Sequence, residues 1–127
     1  MSTDVITVFM NEMKNNVNGL IAVAVTEIET GLSFGSLSLD KSFDVELASA
    51  YNLEVVKAKL KAIDALELGS NDIEDILITL TEQIHIIDIS PSKTFMIYLA
   101  ADKSKSNLGM TRALLRKYKG ELEKGLK

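Results

Sequence analysis

Apolar residues recur along this chain with two different periods, and the switches between them mark out its elements. Ile6, Phe9, Met10, Met13 and Val17 fall at helical spacing behind the cap-forming cluster Ser2, Thr3 and Asp4. That spacing predicts a first helix over residues 4–16, stopped by Asn15, Asn16, Asn18 and Gly19. Leu20 to Ile28 is nearly continuous in apolar, often β-branched residues, the composition of a central strand covered on both faces. Glu29, Thr30 and Gly31 then reverse the chain, and Leu32, Phe34, Leu37 and Leu39 alternate with serines as a weaker strand. Gly35 interrupts the alternation as an edge bulge does.

The stretch from Phe43 to Leu68 predicts a long helix with two apolar stripes instead of one. Leu47, Ala48, Tyr51, Val55, Ala58, Ala62 and Leu66 share one side of the wheel; Val45, Leu53, Val56, Leu60 and Ile63 share another. Asn52 and Lys59 fill the seam. Glu46, Glu54, Lys57, Lys61 and Asp64 gather on the remaining side, where Glu54 with Lys57 and Lys61 with Asp64 have the spacing of modest ion pairs. One stripe suffices to cover a helix's own core. A second stripe asks for a second surface, either more of this chain or another copy of it.

Gly69 is a candidate C-cap, followed by a polar turn at Ser70, Asn71 and Asp72. Three short strands follow at about Ile73 to Thr81, Gln83 to Ile89 and Thr94 to Ala101, with separators short enough to predict an antiparallel meander. Phe95 to Leu99 leave no polar face, so the last strand reads as interior. Asp102 to Ser106 form a charged loop. Asn107 opens a final helix that runs toward Leu126, with Leu108, Thr111, Leu115, Tyr118 and Leu122 as its apolar face and Arg112, Arg116 and Lys119 along one flank. The order αββαβββα around five mostly antiparallel strands, with helices on both faces, is a three-layer α/β/α sandwich of the α+β class.

With 127 residues the chain fits a single domain, residues 1–127, and no repeat, linker or low-complexity tract divides it. The absence of cysteine excludes a disulfide scaffold, a thiolate metal site and a thiol nucleophile. The acidic, amphipathic N-terminus and the lack of a long apolar run lead to an expectation of a soluble, cytoplasmic protein without a membrane partner. A net charge of −4 argues against nucleic acid as a partner.

Chemistry is sparse. His85, the only histidine, lies in a strand with Asp88 three residues on, which places the two side chains on opposite faces and suits a structural role. Asp72, Glu74 and Asp75 do not match a calcium loop and read as a solvated turn, so no metal is expected. The glycines around Gly31 and Gly35 lack the Lys of a phosphate-binding loop, and no serine has a base partner in a recognisable motif. Neither a cofactor nor catalysis is expected.

The element order and the segment SKSNLGMTRALLRKY resemble the roadblock/dynein light-chain family, in which a similar Asn-Leu-Gly signature opens the last helix. The resemblance runs from about Gly19 to Lys119. It implies structural roles for Asn107 as a cap, Gly109 as a point of close approach to the sheet, and Arg112 one turn in. It further implies a homodimer in which the two-striped helices pack antiparallel and the Ile73 to Thr81 edge strands join two sheets. With the first stripe turned outward, the interface comprises Leu47, Tyr51, Val55, Ala58 and Ala62 with Ile76 and Ile78; periodicity alone leaves open which stripe faces out. Such dimers are non-catalytic platforms for small Ras-like GTPases or for motor and signalling assemblies. The turn at Glu29, Thr30 and Gly31 departs from the family's usual Asp-Gly. A profilin- or PAS-like ligand-binding domain is the alternative, and an interior pocket would discriminate it.

Overall fold

The structure, a computed structural model, describes residues 2–69 and 72–126, with side chains from residue 5 onward. The capping expected of Ser2, Thr3 and Asp4 and the turn at Ser70 and Asn71 therefore lie outside the described residues. The order is α1 (Ser2–Asn16), β1 (Leu20–Glu27), β2 (Ser33–Ser38), α2 (Val45–Ala65), β3 (Asp75–Thr79), β4 (Gln83–Ile89), β5 (Phe95–Asp102) and α3 (Leu108–Gly125). The strands form one antiparallel sheet in the order β2-β1-β5-β4-β3. The two strands that read as apolar on both faces, β1 and β5, pair with each other inside it. The sandwich expected from the αββαβββα order is the one observed.

Burial on both faces explains why β1 and β5 tolerate almost no polar residue. Val23, Val25, Ile97 and Leu99 point toward α1 and α3, where Phe9, Met13, Leu115 and Leu122 close over them. Ala22, Ala24, Met96, Tyr98 and Ala100 point the other way, toward Val45, Leu53 and Val56 of α2. Alanines dominate that second face, so the α2 backbone can come close. Each large aliphatic side chain buried in this way contributes about 1.5–3 kcal/mol. The buried hydroxyls of Thr26 and Ser49 satisfy each other at 2.8 Å, which lets α2 dock on β1 without leaving a polar group unpaired.

The β1–β2 register shifts between Val25 and Thr26, next to the irregularity expected at Gly35. The glycine has a packing reason as well: a Cβ at Gly35 would lie 2.6 Å from Ile6 Cγ2, so α1 crosses the edge strand where a side chain is missing.

The end of α2 corrects the sequence reading. Gly69 is not its cap. The helix stops at Ala65, and the chain turns through Glu67 at φ 57°, with Glu67 N donating to Asp64 O at 3.1 Å and Leu68 N donating to Ile63 O at 3.0 Å. Those two bonds are a Schellman motif built on a non-glycine residue. The expected pairs Glu54–Lys57 and Lys61–Asp64 also fail to close: none of the four ion pairs within 4 Å among the described residues lies on α2.

Two substitutions test these local constraints by urea unfolding. Glu67→Gly should raise stability, by about 0.5–1 kcal/mol, because glycine holds a left-handed backbone without a Cβ penalty. Gly35→Ala should lower it by about 1–3 kcal/mol, because the β-branched Ile6 has little room to yield. A loss for the first or neutrality for the second would contradict the geometry.

Candidate interaction surface

The structure separates the two stripes of α2. Val45, Leu53 and Val56 are buried on the sheet, with Leu60 packed beside them. The other stripe faces out: Leu47 is 54% exposed, Tyr51 70%, Val55 42% and Leu66 64%, with Ala58 also exposed and Ala62 half-buried. Helix α2 lies over β1, β2 and β5, at one side of the sheet.

At the other side β3 is an edge strand paired only with β4. Period 2 turns Ile76 and Ile78 toward the α2 side, where both are half-buried. Between helix and strand runs an open apolar groove of about 420 Å³, lined by Val55, Ala58, Lys59 and Ile76. The seven residues singled out from the sequence thus share one face of the molecule. Val55, Ala58 and Ile76 meet at the groove; Leu47 and Tyr51 continue the outward stripe toward the N-terminus of α2, which is capped by Asp44 accepting from Leu47 N at 3.0 Å.

The opposite end of β3 is fastened from α3. Asn107 Oδ1 accepts from Met110 N at 3.0 Å and starts that helix. One turn in, Arg112 donates from Nε and from a terminal nitrogen to Asp75 at 2.8 and 3.0 Å, a two-point grip on the first residue of β3. Asp75 faces Asp88 directly across the β3–β4 ladder, a pairing that would repel if left alone. Lys119 Nζ donates to Asp88 at 2.8 Å and supplies the second cation. The Asp75 carboxylate raises the Arg112 pKa further. Burial pushes the Asp88 carboxyl above its ordinary value, against the downward pull of Lys119.

Two sequence expectations fail here. Gly109 does not approach the sheet: it is exposed, and a Cβ there would meet only Asn107 Oδ1, at 3.6 Å. Asp72, Glu74 and Asp75 are not one solvated turn, because Asp75 is half-buried in the Arg112 grip while exposed Glu74 lies 3.9 Å from Arg116 and Asp72 lies 3.5 Å from Lys93. The paired cations were detectable in principle. Asp88 sits in register with Ile84 and Ile86 on a covered face, where a charge needs a partner, and Arg112 and Lys119 lie two helical turns apart on α3.

His85 and Asp88 point to opposite faces, as their spacing requires. His85 Nε2 donates to Gln83 Oε1 at 2.8 Å while Nδ1 accepts from the Tyr98 hydroxyl at 3.2 Å, the pattern of a neutral ring. Its edge contacts are Phe43 and Tyr98. Burial holds the His85 pKa below the usual 6.5 and pushes that of Tyr98 up to about 12. The ring is a wedge between the entry to α2 and the sheet. A hollow of about 720 Å³ lined by Ile21, Asp40, Thr81, Glu82, Gln83 and Asp102 to Ser104 opens at the surface and is mostly polar, a cleft rather than an interior chamber.

No protein-family model matches the chain, and no curated protein does either. Solved structures do. A roadblock/LC7 domain from Streptomyces avermitilis superposes with a TM-score of 0.80 over 94% of this chain and 95% of its own, at 12% identity. Myxococcus xanthus MglB gives 0.75 over 97% and 85%, at 15% identity. An MglB with tetrameric arrangement gives 0.77 over 96% and 87%, at 10% identity. The chain has the roadblock fold, and the resemblance read from its sequence holds at that level.

The pair at Asp88 yields a pH-dependent prediction. Lys119→Met should cost about 3 kcal/mol at pH 7, since it strands a carboxylate that is 4% exposed. Asp88→Asn should cost less, because the Lys119 ammonium can reach water. A folded pKa above the unfolded one means that stability falls as pH rises from about 4 through the folded value. The Lys119→Met deficit should therefore be full at neutral pH and shrink toward pH 4, and Asp88→Asn in the same background should remove it. His85 is common to both proteins and cancels in the difference. Urea unfolding at several pH values decides; a pH-independent deficit would reject the assignment.

Proposed function

We propose that the whole chain acts as one non-catalytic, roadblock-like domain: a homodimeric adaptor or regulator serving a small Ras-like GTPase in the cytoplasm. The observation that carries the reading is the outward apolar stripe of α2 beside the unpaired edge of β3, on a fold shared with the roadblock/LC7 domain and MglB. A two-fold axis along the groove would set Val55, Ala58 and Ile76 of one protomer against α2 of the other, and would continue the sheet from β3 to β3. That arrangement satisfies the open strand edge and the apolar stripe together. The tetrameric arrangement of one MglB supports self-association of this fold.

The part played toward the GTPase is ordering of its switch segments, with no group supplied to the reaction. Arg112, one of the two arginines, is held by both arms of its guanidinium on Asp75. Arg116 lies on the far face from the groove and, among the described residues, pairs with exposed Glu74 at 3.9 Å.

Light scattering at tens of micromolar should report a dimer, a concentration chosen for contacts of about micromolar affinity or tighter. Val55→Glu with Ala58→Glu should give a folded monomer, since both positions are exposed in the single chain. A monomeric parent protein would refute the dimer. A second measurement addresses the partner: binding to a small Ras-like GTPase from the same organism in its two nucleotide states. The dimer should prefer one state, the monomeric variant should lose that binding, and Arg116→Ala should leave any stimulated hydrolysis within about twofold, against the 10³-fold or more expected for a catalytic arginine. Equal binding to both states would reduce the role to passive scaffolding.

A further inference from the structure

The only histidine of the chain has no part in the surface described above. His85 is half-buried on β4, and the groups that touch it are uncharged: Gln83 Oε1 accepts from Nε2, the Tyr98 hydroxyl meets Nδ1, and Phe43 and Tyr98 lie edge-on to the ring. Its partners across the ladders are Ala100 of β5 and Ile78 of β3. None of the four ion pairs within 4 Å among the described residues includes it. A proton added to this ring therefore finds no counter-charge in place. Nδ1 would also become a donor, and the Tyr98 hydroxyl would have to turn its own proton into an apolar cluster.

Carboxylates lie one step away. Gln83 also lines the open polar cleft at the end of the sheet, with Asp40, Glu82 and Asp102 as its negative side chains and Lys103 as its positive one. Gln83 and His85 share a strand phase, so the cleft begins about 7 Å beyond the ring. Asp40 and Asp102 stay ionised in mild acid, because the backbone N–H and hydroxyl of Ser42 and of Ser104 donate to them and hold both pKa values below the usual 3.8. One short segment is both a wall of this cleft and the roof of the ring. Residues 40–44 run from β2 into α2 and carry Asp40 at the cleft, exposed Lys41, Phe43 on the imidazole and Asp44, whose carboxylate is committed to Leu47 N as the cap of α2. Leu39 N donates to Ile21 O at 2.8 Å. Past that point the segment is fastened to the sheet by Ser38 Oγ, 2.7 Å from Asp40 O and 3.2 Å from Phe43 O, and by the Phe43 ring.

We propose that His85 is an acid-operated latch: neutral, it is held under Phe43; protonated, it turns toward the carboxylates of the cleft, and residues 40–44 lift with Phe43 and loosen the first turn of α2. The two resting places differ in what they offer, aromatic edges and a hydroxyl for a neutral ring, negative charge and water for an imidazolium. Burial without a counter-charge holds the folded pKa of His85 below 6.5. The latch is therefore at full strength above about pH 6.5, weakens as the pH falls toward the folded value, and loses nothing further below it. It works within one chain and needs neither the dimer nor a GTPase.

With one histidine in the chain, its Cε1 proton gives a single imidazole resonance to follow by NMR. His85 should titrate below pH 6.5. Amide hydrogen exchange of residues 41–47 is then compared with that of His85→Gln at each pH, so that intrinsic rates and the titration of Asp88 on the opposite face cancel. The ratio of parent to variant should rise about threefold or more from roughly pH 7 to pH 5, while that for β1 and β5 stays flat. Asp40→Asn with Glu82→Gln, both at exposed positions, should leave urea stability at pH 7 unchanged and cut the rise by about half or more, because the imidazolium loses its counter-charge. The latch is overturned if His85 titrates at or above 6.5, if the ratio stays flat, or if the rise is shared equally by β1 and β5, which would be unfolding of the whole domain. An undiminished rise in the carboxylate variant overturns it as well. Should His85→Gln fail to fold, the carboxylate variant becomes the reference, and equal exchange in the two proteins rejects the latch.

Discussion

A five-stranded sheet is about 24 Å wide at ~4.8 Å per strand, and a helix with its side chains covers about 10 Å of it. Two helices therefore cover one face and a single helix cannot cover the other. Helices α1 and α3 lie side by side on the first face, over the larger cluster of core residues. Helix α2 alone occupies the second and takes the side over β2, β1 and β5. The remainder, beside β3, stays open. The second stripe of α2, the half-burial of Ile76 and Ile78 and the groove between them are three expressions of this shortfall in width.

That shortfall also explains what could and could not be read from the sequence. Strands β1 and β5 were legible because burial on two sides removes polar residues from both phases of a strand, and α2 was legible as a two-striped helix because each stripe has a fixed angular spread. Which stripe faces inward is a matter of fine fit. Ala22, Ala24 and Ala100 leave space for Leu53 and Val56, and that complementarity between distant segments has no period to detect. The end of α2 at Glu67 was hidden for a different reason. Hydrogen bonds to Ile63 and Asp64 hold the turn, and they tolerate a residue that local preference would not choose.

Around α3 the sequence showed the types but not the partners. Asn107 was readable as a cap because capping is local; the grip of Arg112 on Asp75 spans 37 positions and exists only once β3 lies under the helix. The two aspartates side by side in the sheet would repel without the cations of α3, so the helix and the outer hairpin are specified together. Gly109 shows the opposite failure, in which a glycine in a suggestive motif has no steric neighbour to justify it. The outward stripe of α2 and the apolar phase of β3 were each legible, and their position beside one another was not, since that depends on β3 being an edge.

The strand order has a consequence for how the chain is made. β1 pairs on its inner side with β5, the last strand to be synthesised, across separations that run from 68 residues for Glu27 with Phe95 to 81 for Leu20 with Ala101. During synthesis β2 can pair with β1 and β3 with β4 before β5 is free, yet β1 and β4 then each lack the neighbour that lies between them. At about 5–20 residues per second that condition lasts seconds, with two interior strand edges bare. Pairing of such long range is intrinsically slow. Until β5 clears the ribosome and inserts, the two halves of the sheet are held apart, so the centre of the sheet closes last and by the longest-range pairing in it.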